Sequence, residues 1–309
     1  MALTLLEASK LNSGDVRLQA VVEMFARESE ILRVLPFDDI MGNALRYNRE
    51  GALPGIGFRG VNEAYSESVG VLNPITEALY IAGGDLDVDK FIVATMGGDQ
   101  RSVQEGLKIK ALAQAWTTKF IKGDTTTEPR EFDGMQVRLT GNQKIAAGNT
   151  SGGDALSLAI LDQGIDAVDA PTHILMSKAM RRRLTAAART STVAGYITYG
   201  VDEFGRRVTQ YNGLPILVPY PNNGGTEPIA FDEVNPNGGS QVGTSIYILS
   251  VGAGRLTGIQ NGGMAVTDLG ELQTAPKFRT RIEWYAGLAL FHGRACARIW
   301  GVKDAAVVA

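Results

Sequence analysis

The sequence is nearly empty of the residues that most often carry covalent or metal chemistry. It holds one cysteine, Cys296, and two histidines, His173 and His292, among 309 residues. A single cysteine cannot close an intrachain disulfide, which suits synthesis in a reducing cytosol. No C-x-x-C pair occurs, so a structural zinc site lacks its usual ligands. His292 and Cys296 would share a face if both lay on one strand, yet two ligands do not hold zinc. His173 sits inside an apolar run, where a hydrogen-bonded core histidine is expected. Neither a G-x-S-x-G elbow nor a Walker loop is present. We single out no catalytic residue, no cofactor site and no metal ligand, and expect no enzyme.

An excess of one charge is also missing. Lys plus Arg is 30 and Asp plus Glu is 33, for a net charge of -3. Wrapping nucleic acid as a main task needs a clear cationic excess to release counterions. That leaves room only for a locally basic face, sharpest at Lys178, Arg181, Arg182 and Arg183. Charge runs of this kind are usually solvated, with an intersubunit or DNA-facing contact as the functional alternative. No stretch of eighteen or more apolar residues exists, so no membrane helix is expected. The start, Met1 to Leu11, lacks a basic segment followed by a long apolar one, and no secretion signal is read there. Fixed-period repeats, heptads and low-complexity blocks are absent. What remains is 44% hydrophobic residues, enough for a real core, with 37 glycines that punctuate short runs.

Two motifs invite chemistry and fail their context. Gly55-Ile56-Gly57-Phe58-Arg59-Gly60 matches G-x-G-x-x-G, but no buried strand precedes it and only a weak helix, Val61 to Ser68, follows. A glycine-rich hairpin tip is the better reading. Asp85-Leu86-Asp87-Val88-Asp89 resembles the start of a calcium loop, yet Lys90 and Met96 stand where glycine and a bidentate glutamate belong. An exposed acidic strand face with Leu86 and Val88 turned inward fits better.

Element signals give a mixed α+β chain. Leu18, Val21, Val22, Phe25 and Leu32 form a helical stripe over Asp15 to Leu32. A short arm with so little chain around it must pack on another lobe or another subunit. Met41 to Pro74 is rich in glycine and charge, with Arg46, Arg49, Arg59, Glu50, Glu63 and Glu67, and reads as a long projecting hairpin. An isolated hairpin is marginal in water, so a partner surface is implied. Ala78 to Ala82 and Leu86 to Ala94 read as two strands broken at Gly83-Gly84. The strongest helix spans Asp99 to Lys122, with Ser102 to Glu105 as a capping box and Ile109, Leu112, Trp116 and Phe120 as its stripe. Val103 and Leu107 lie on the opposite side and suit a second partner. Asp154 to Val168 and Ser177 to Arg189 read as helices flanking a strand, Thr172 to Met176. Asn212-Gly213 joins the strands Arg206 to Tyr211 and Leu214 to Pro219 as a hairpin turn. Strands follow at Thr244 to Val251, Arg255 to Ile259, Met264 to Thr267, Lys277 to Leu290 and Phe291 to Val302.

This order of parts resembles the major capsid proteins of tailed double-stranded DNA bacteriophages of the Hong Kong 97 type. The resemblance is carried by Phe37 to Tyr47 and Phe58 to Glu63 at the two limbs of the extended loop, and by Glu131 to Met135 after the long helix. Tyr211 to Ile216, Arg281 to Leu288 and Ala297 to Gly301 complete it. It implies the α+β Hong Kong 97-type fold, with an N-terminal arm over 1–40, an extended loop over 41–77 and a peripheral domain with the spine helix over 78–149. An axial domain over 150–254 and peripheral return strands over 255–309 follow. It implies hexamers and pentamers of the chain itself in an icosahedral virion shell, assembled in the host cytoplasm around DNA bound without sequence specificity. Portal, scaffolding and cementing proteins would be further partners, with no membrane. The implied intersubunit contacts are Arg46, Arg49, Arg59, Glu63, Glu67, Val103, Leu107 and Phe25. Some family members cross-link a loop lysine, but no lysine lies between Lys10 and Lys90. Others carry a long N-terminal scaffold segment, and here the arm begins almost at Met1, so for a full translated chain scaffolding is expected to be separate or absent. An encapsulin-type nanocompartment shell shares the implied fold and is the first alternative. An α/β enzyme is the second, and it would need a convergent polar site.

Overall fold

A computed structural model describes residues 29–96, 99–189, 197–201, 207–221, 225–240 and 242–308. The expected arm helix therefore lies largely outside the described residues, and Phe25 with it. The expected run to Leu32 is interrupted at Ser29, whose backbone is extended and whose hydroxyl accepts from the Leu32 amide, so that it caps the start of a separate short helix, α1, Glu30–Val34.

Two cores lie on opposite faces of one sheet. That sheet has seven strands in the order β5 (Lys144–Ala146), β13 (Cys296–Val302), β10 (Thr244–Leu249), β6 (His173–Leu175), β9 (Leu214–Leu217), β8 (Arg207–Tyr211) and β7 (Ile197–Val201). Strand β10 is buried at every position. Its period of two sends Tyr247 and Leu249 into one core and Ile246 and Ile248 into the other. On the second side, helices α5 (Leu158–Asp166) and α6 (Lys178–Ala187) contribute Leu161, Ile165, Met180 and Leu184.

The first core is closed by a second sheet in the order β1 (Phe37–Asp39), β11 (Leu256–Glu271), β12 (Lys277–Leu290) and β4 (Tyr80–Asp89). The long helix α3, Asp99–Lys122, lies across it. Its bounds coincide with the expected spine helix. Ile109, Ala113, Trp116 and Phe120 face inward at helical spacing. Trp116 meets Phe37 and Trp284, both with ring centroids 5.9 Å away, and Phe120 at 5.4 Å. The buried Trp284 indole N–H donates to Gln260 Oε1 at 3.1 Å. This satisfies the one polar group the ring brings inside.

Several boundaries differ from expectation. Gly83-Gly84 does not break a strand, because β4 runs straight through it, paired with Glu283 and Ile282 of β12. A Cβ at Gly83 would sit 2.2 Å from the Ile282 carbonyl oxygen, so the glycine serves close approach rather than a turn. The strand ends at Asp89, whose carboxylate accepts from the Phe91 amide and starts a short helix, α2, Lys90–Met96. Ser102 and Glu105 form no capping box, because the helix already begins at Asp99. The buried Glu105 instead accepts from Thr280 at 3.0 Å. The two strands expected between Arg255 and Thr267 are one, β11, with its register shifted between Gln260 and Met264 where Gly262 and Gly263 adopt positive φ. Val61 to Ser68 is not helical. The last strand, β13, pairs with β10, so the seven-stranded sheet crosses the expected division at 254/255.

Gly83→Val is expected to destabilise the subunit by about 1–3 kcal/mol through overpacking against β12. Chemical denaturation of the variant checks this, and an unchanged midpoint would count against the close approach.

Candidate intersubunit surface

Strands β2 (Ala44–Ala52) and β3 (Val71–Ala78) pair only with each other, as an antiparallel ribbon outside both larger sheets. Its base is fastened to the body by polar groups. Arg138, on helix α4 (Met135–Arg138), grips Glu77 in a two-point pair, with Nη2 donating to Oε2 at 2.8 Å. The Tyr47 hydroxyl donates to the Leu290 carbonyl at 2.9 Å, and its ring packs on Phe291 with centroids 4.7 Å apart. Burial and the Glu77 carboxylate raise the Tyr47 phenol above its ordinary range, so it stays a donor at neutral pH. Arg49 Nη2 donates to the same Leu290 carbonyl at 2.6 Å. Glu77→Ala would leave Arg138 without its partner in a largely buried setting, at a cost of about 3 kcal/mol. Faster amide hydrogen exchange over 44–52 and 71–78 is the expected sign, and unchanged exchange would remove the anchor.

Beyond the base, residues 53–70 form an exposed tip without strand or helix apart from one turn. Among the described residues, the apolar side chains there have nothing of their own subunit to pack on. Ile56 is 93% exposed and Phe58 is 106% exposed, with Leu53, Val61 and Val69 also standing in water. The G-x-G-x-x-G stretch is thus a loop tip, and no nucleotide fold surrounds it. Glu63 accepts from the Gly60 amide at 2.8 Å, and Arg59 donates to the Glu63 carbonyl and stands over the Tyr65 ring at 5.0 Å. Such contacts shape the tip but cover little of it.

On the body, Val103 and Leu107 of α3 are 53% and 55% exposed, one turn apart on the face away from the aromatic core. Helix α2 packs beside α3 and exposes Phe91 and Ile92. Together these make an uncovered apolar surface of the kind that marks a protein contact.

The structure sorts the expected contact residues into groups. Arg46 and Glu67 are exposed. Arg59 and Glu63 sit at the tip, tied to each other. Arg49 is turned back onto its own subunit. Sequence inspection did not identify Tyr47, Glu77 and Arg138 as the anchor, nor Phe91 and Ile92. A lone arginine 61 residues from its glutamate leaves no local signal. The glycines of Gly55 to Gly60 were the cue for the tip.

The remaining candidate sites read as structure. Asp85 and Asp87 face outward from β4 and take two-point pairs from Arg281 and Arg279 on β12. Those arginines hold both carboxyls below the usual range. Among the described residues no cluster of His, Cys, Asp and Glu could hold a metal ion. Cys296 is fully buried, and burial pushes its thiol up to about 12, which removes it as a thiolate nucleophile at neutral pH. His292 lies in the turn before β13, 3.6 Å from Asp169, and does not share a strand face with Cys296. His173 Nδ1 is hydrogen-bonded to the neighbouring Thr172 hydroxyl at 2.9 Å. No helix among the described residues is long and apolar enough to cross a membrane.

No protein-family model matches the sequence, and no curated protein matches it. Solved structures do match. One is the holo-SrpI encapsulin complex from Synechococcus elongatus PCC 7942, with TM-score 0.66 and 18% identity over 100% of this chain and 99% of that one. The capsid of an empty GTA particle aligns with TM-score 0.61 and 14% identity over 89% of this chain and 90% of that one. A chain of Microbacterium phage Oxtober96 aligns with TM-score 0.62 and 13% identity over 88% and 90% of the two chains. At such identities the likeness is one of fold, and the fold is the α+β Hong Kong 97-type shell fold expected from the order of parts.

Proposed function

We propose that this chain is the shell subunit of a tailed-phage head. It would assemble as hexamers and pentamers into an icosahedral container for double-stranded DNA. The carrying observation is the anchored ribbon that holds Ile56 and Phe58 out in water. Folding of one subunit gains nothing from that exposure, and a neighbour that covers the tip would gain about 1.5–3 kcal/mol for each large side chain. The uncovered Val103 and Leu107 on α3, with Phe91 and Ile92 beside them, supply a surface of matching character. Contacts from one patch to a different patch close into rings when the rotation closes. Arg46, Arg59, Glu63 and Glu67 would then trim the tip's contact with charge pairs, and the arm containing Phe25 would reach a further neighbour. The expected division into arm, extended loop, spine helix, axial and peripheral domains is kept here, with β5 and β13 added to the axial sheet.

With no lysine from 11 to 89, a lysine cross-link from the extended loop cannot form. Shell strength would rest on noncovalent burial, on charge pairs or on an added cementing protein. Portal and scaffolding proteins would complete the head, assembled in the cytoplasm of a bacterial host. The chain would be no enzyme.

A second reading, an encapsulin-type compartment, is favoured by one observation: the SrpI likeness spans the whole of both chains to within one percent. The two share a shell and differ in cargo. Size exclusion with light scattering on the purified protein tests the shell, and it should elute as ring-sized or larger species. Nuclease-resistant DNA inside particles from infected or lysogenic cells supports the phage head, and a protein cargo without DNA supports the compartment.

A further inference from the structure

We infer that one face of helix α6 is a phosphate-binding surface that holds the DNA backbone against the shell. This rests on the phage-head reading, because only a container for DNA presents an inner wall to it.

Helix α6 carries no acidic residue. Lys178, Arg181 and Arg182 fall within about 100° of one another around its axis. They lie opposite Met180 and Leu184, which are buried in the second core. Arg189 extends the same side just past the helix end. Arg183 points elsewhere and is occupied, donating to Asp304 Oδ1 at 2.7 Å. No carboxylate among the described residues forms a salt bridge with Lys178, Arg181, Arg182 or Arg189. In a chain with net charge -3, this is a local excess set apart from the ion-paired arginines of β12.

The face is also concave. Arg181, Arg182, Thr185, Ala186 and Arg189 of the helix side meet Thr209 of β8 around an open hollow of about 500 Å³. Among the described residues that line it, Ala186 is the one apolar side chain. A protein partner's interface centre calls for aromatic and large aliphatic anchors, and among the described lining residues there is none. Three of the four cations are arginines, whose planar forks match phosphate oxygens two at a time. Arginines that form no salt bridge, together with the Thr185 and Thr209 hydroxyls, offer donors that fit the oxygens of a phosphodiester backbone. Contacts confined to the phosphates would be indifferent to sequence.

The test compares wild-type capsomers with the variant Arg181→Gln/Arg182→Gln/Arg189→Gln for binding to a short fluorescent DNA duplex. Anisotropy is followed between about 50 and 200 mM salt. Each lost phosphate contact flattens the slope of log K against log salt by about 0.9, so the triple variant should lose nearly three per engaged subunit. The matching loss of affinity is on the order of 10²-fold at about 0.1 M salt. Arg183→Gln/Asp304→Asn, which removes the neighbouring pair whole and leaves Arg182 no carboxylate to turn to, should leave the slope near wild type. An unchanged slope and affinity in the triple variant overturns the inference. So does a triple variant that binds DNA normally and fails to form shells, which would assign the face to an acidic neighbour. If the triple variant misfolds by circular dichroism, the exposed single change Arg182→Gln should still remove about one from the slope, and no change there overturns the inference. Shell formation by the wild type is read separately by light scattering before DNA is added, so a failure of the phage-head reading is seen as such.

Discussion

Ile56→Ser/Phe58→Ser should abolish shell formation while leaving the thermal unfolding of the isolated subunit where it was. Both side chains stand in water within one chain, so neither contributes to the subunit's own core. If a neighbour buries them, the pair is worth about 3–6 kcal/mol at every contact. That corresponds to a factor of about 10²–10⁴ in the association constant of each subunit pair. A closed shell repeats the contact around every ring, so the loss compounds. Light scattering of the variant at concentrations where the wild type assembles reads the effect, with calorimetry as the folding control. Particles of normal size from the double variant would show that the tip is not an assembly element. A lowered unfolding temperature would show that the tip packs on its own subunit after all.

The second large effect lies on the first-core face of the seven-stranded sheet. Arg298 on β13 and Glu233 form a pair whose side chains are each 8% exposed, with Nη2 donating to Oε2 at 2.6 Å. Gln136 of α4 donates to the other carboxylate oxygen at 2.6 Å. The Ser245 hydroxyl on β10 donates to Glu233 and accepts from Arg298 Nε at 2.9 Å. One ion pair thus ties α4, a loop and two strands of the shared sheet. Lys144 stands nearby, 3.8 Å over the Trp300 ring, and burial first and Arg298 second push its ammonium below the usual lysine range. Glu233→Ala should cost about 3–5 kcal/mol, because it strands the Arg298 charge inside. At this size the melting temperature should fall by on the order of 10 °C. The double change Glu233→Met/Arg298→Leu should recover much of that loss, since a buried pair replaced by apolar groups of similar volume is often neutral. A single variant with an unchanged melting temperature would mean that water reaches the pair.

Local signals were legible in the sequence and non-local ones were not. Asn212-Gly213 announces its turn because both residues must take positive φ, and they do, at 48° and 77°. Helix α3 reads cleanly because its apolar spacing holds from Ile109 to Phe120, about three turns. Gly83-Gly84 misleads because a glycine pair looks the same whether it makes a turn or admits a neighbouring backbone. The membership of β13 in the seven-stranded sheet depends on pairing with β10, about fifty residues earlier, which no local pattern encodes. Arg49 has the composition of a contact residue and turns inward because the ribbon folds back over the end of β12. The Glu233–Arg298 pair spans 65 residues and had no sequence cue at all. Of the candidate surface, Val103 and Leu107 were legible as a second stripe on an amphipathic helix. The anchor at Tyr47, Glu77 and Arg138 was not, because tertiary contact alone creates it.

Electron microscopy of the purified full chain over a concentration series tests the central claim most directly. The account predicts closed shells or rings of six and five subunits, with the ribbon tip at Ile56 and Phe58 covered by a neighbouring copy. A single-subunit species that persists at high concentration, with the tip still in solvent, would contradict it.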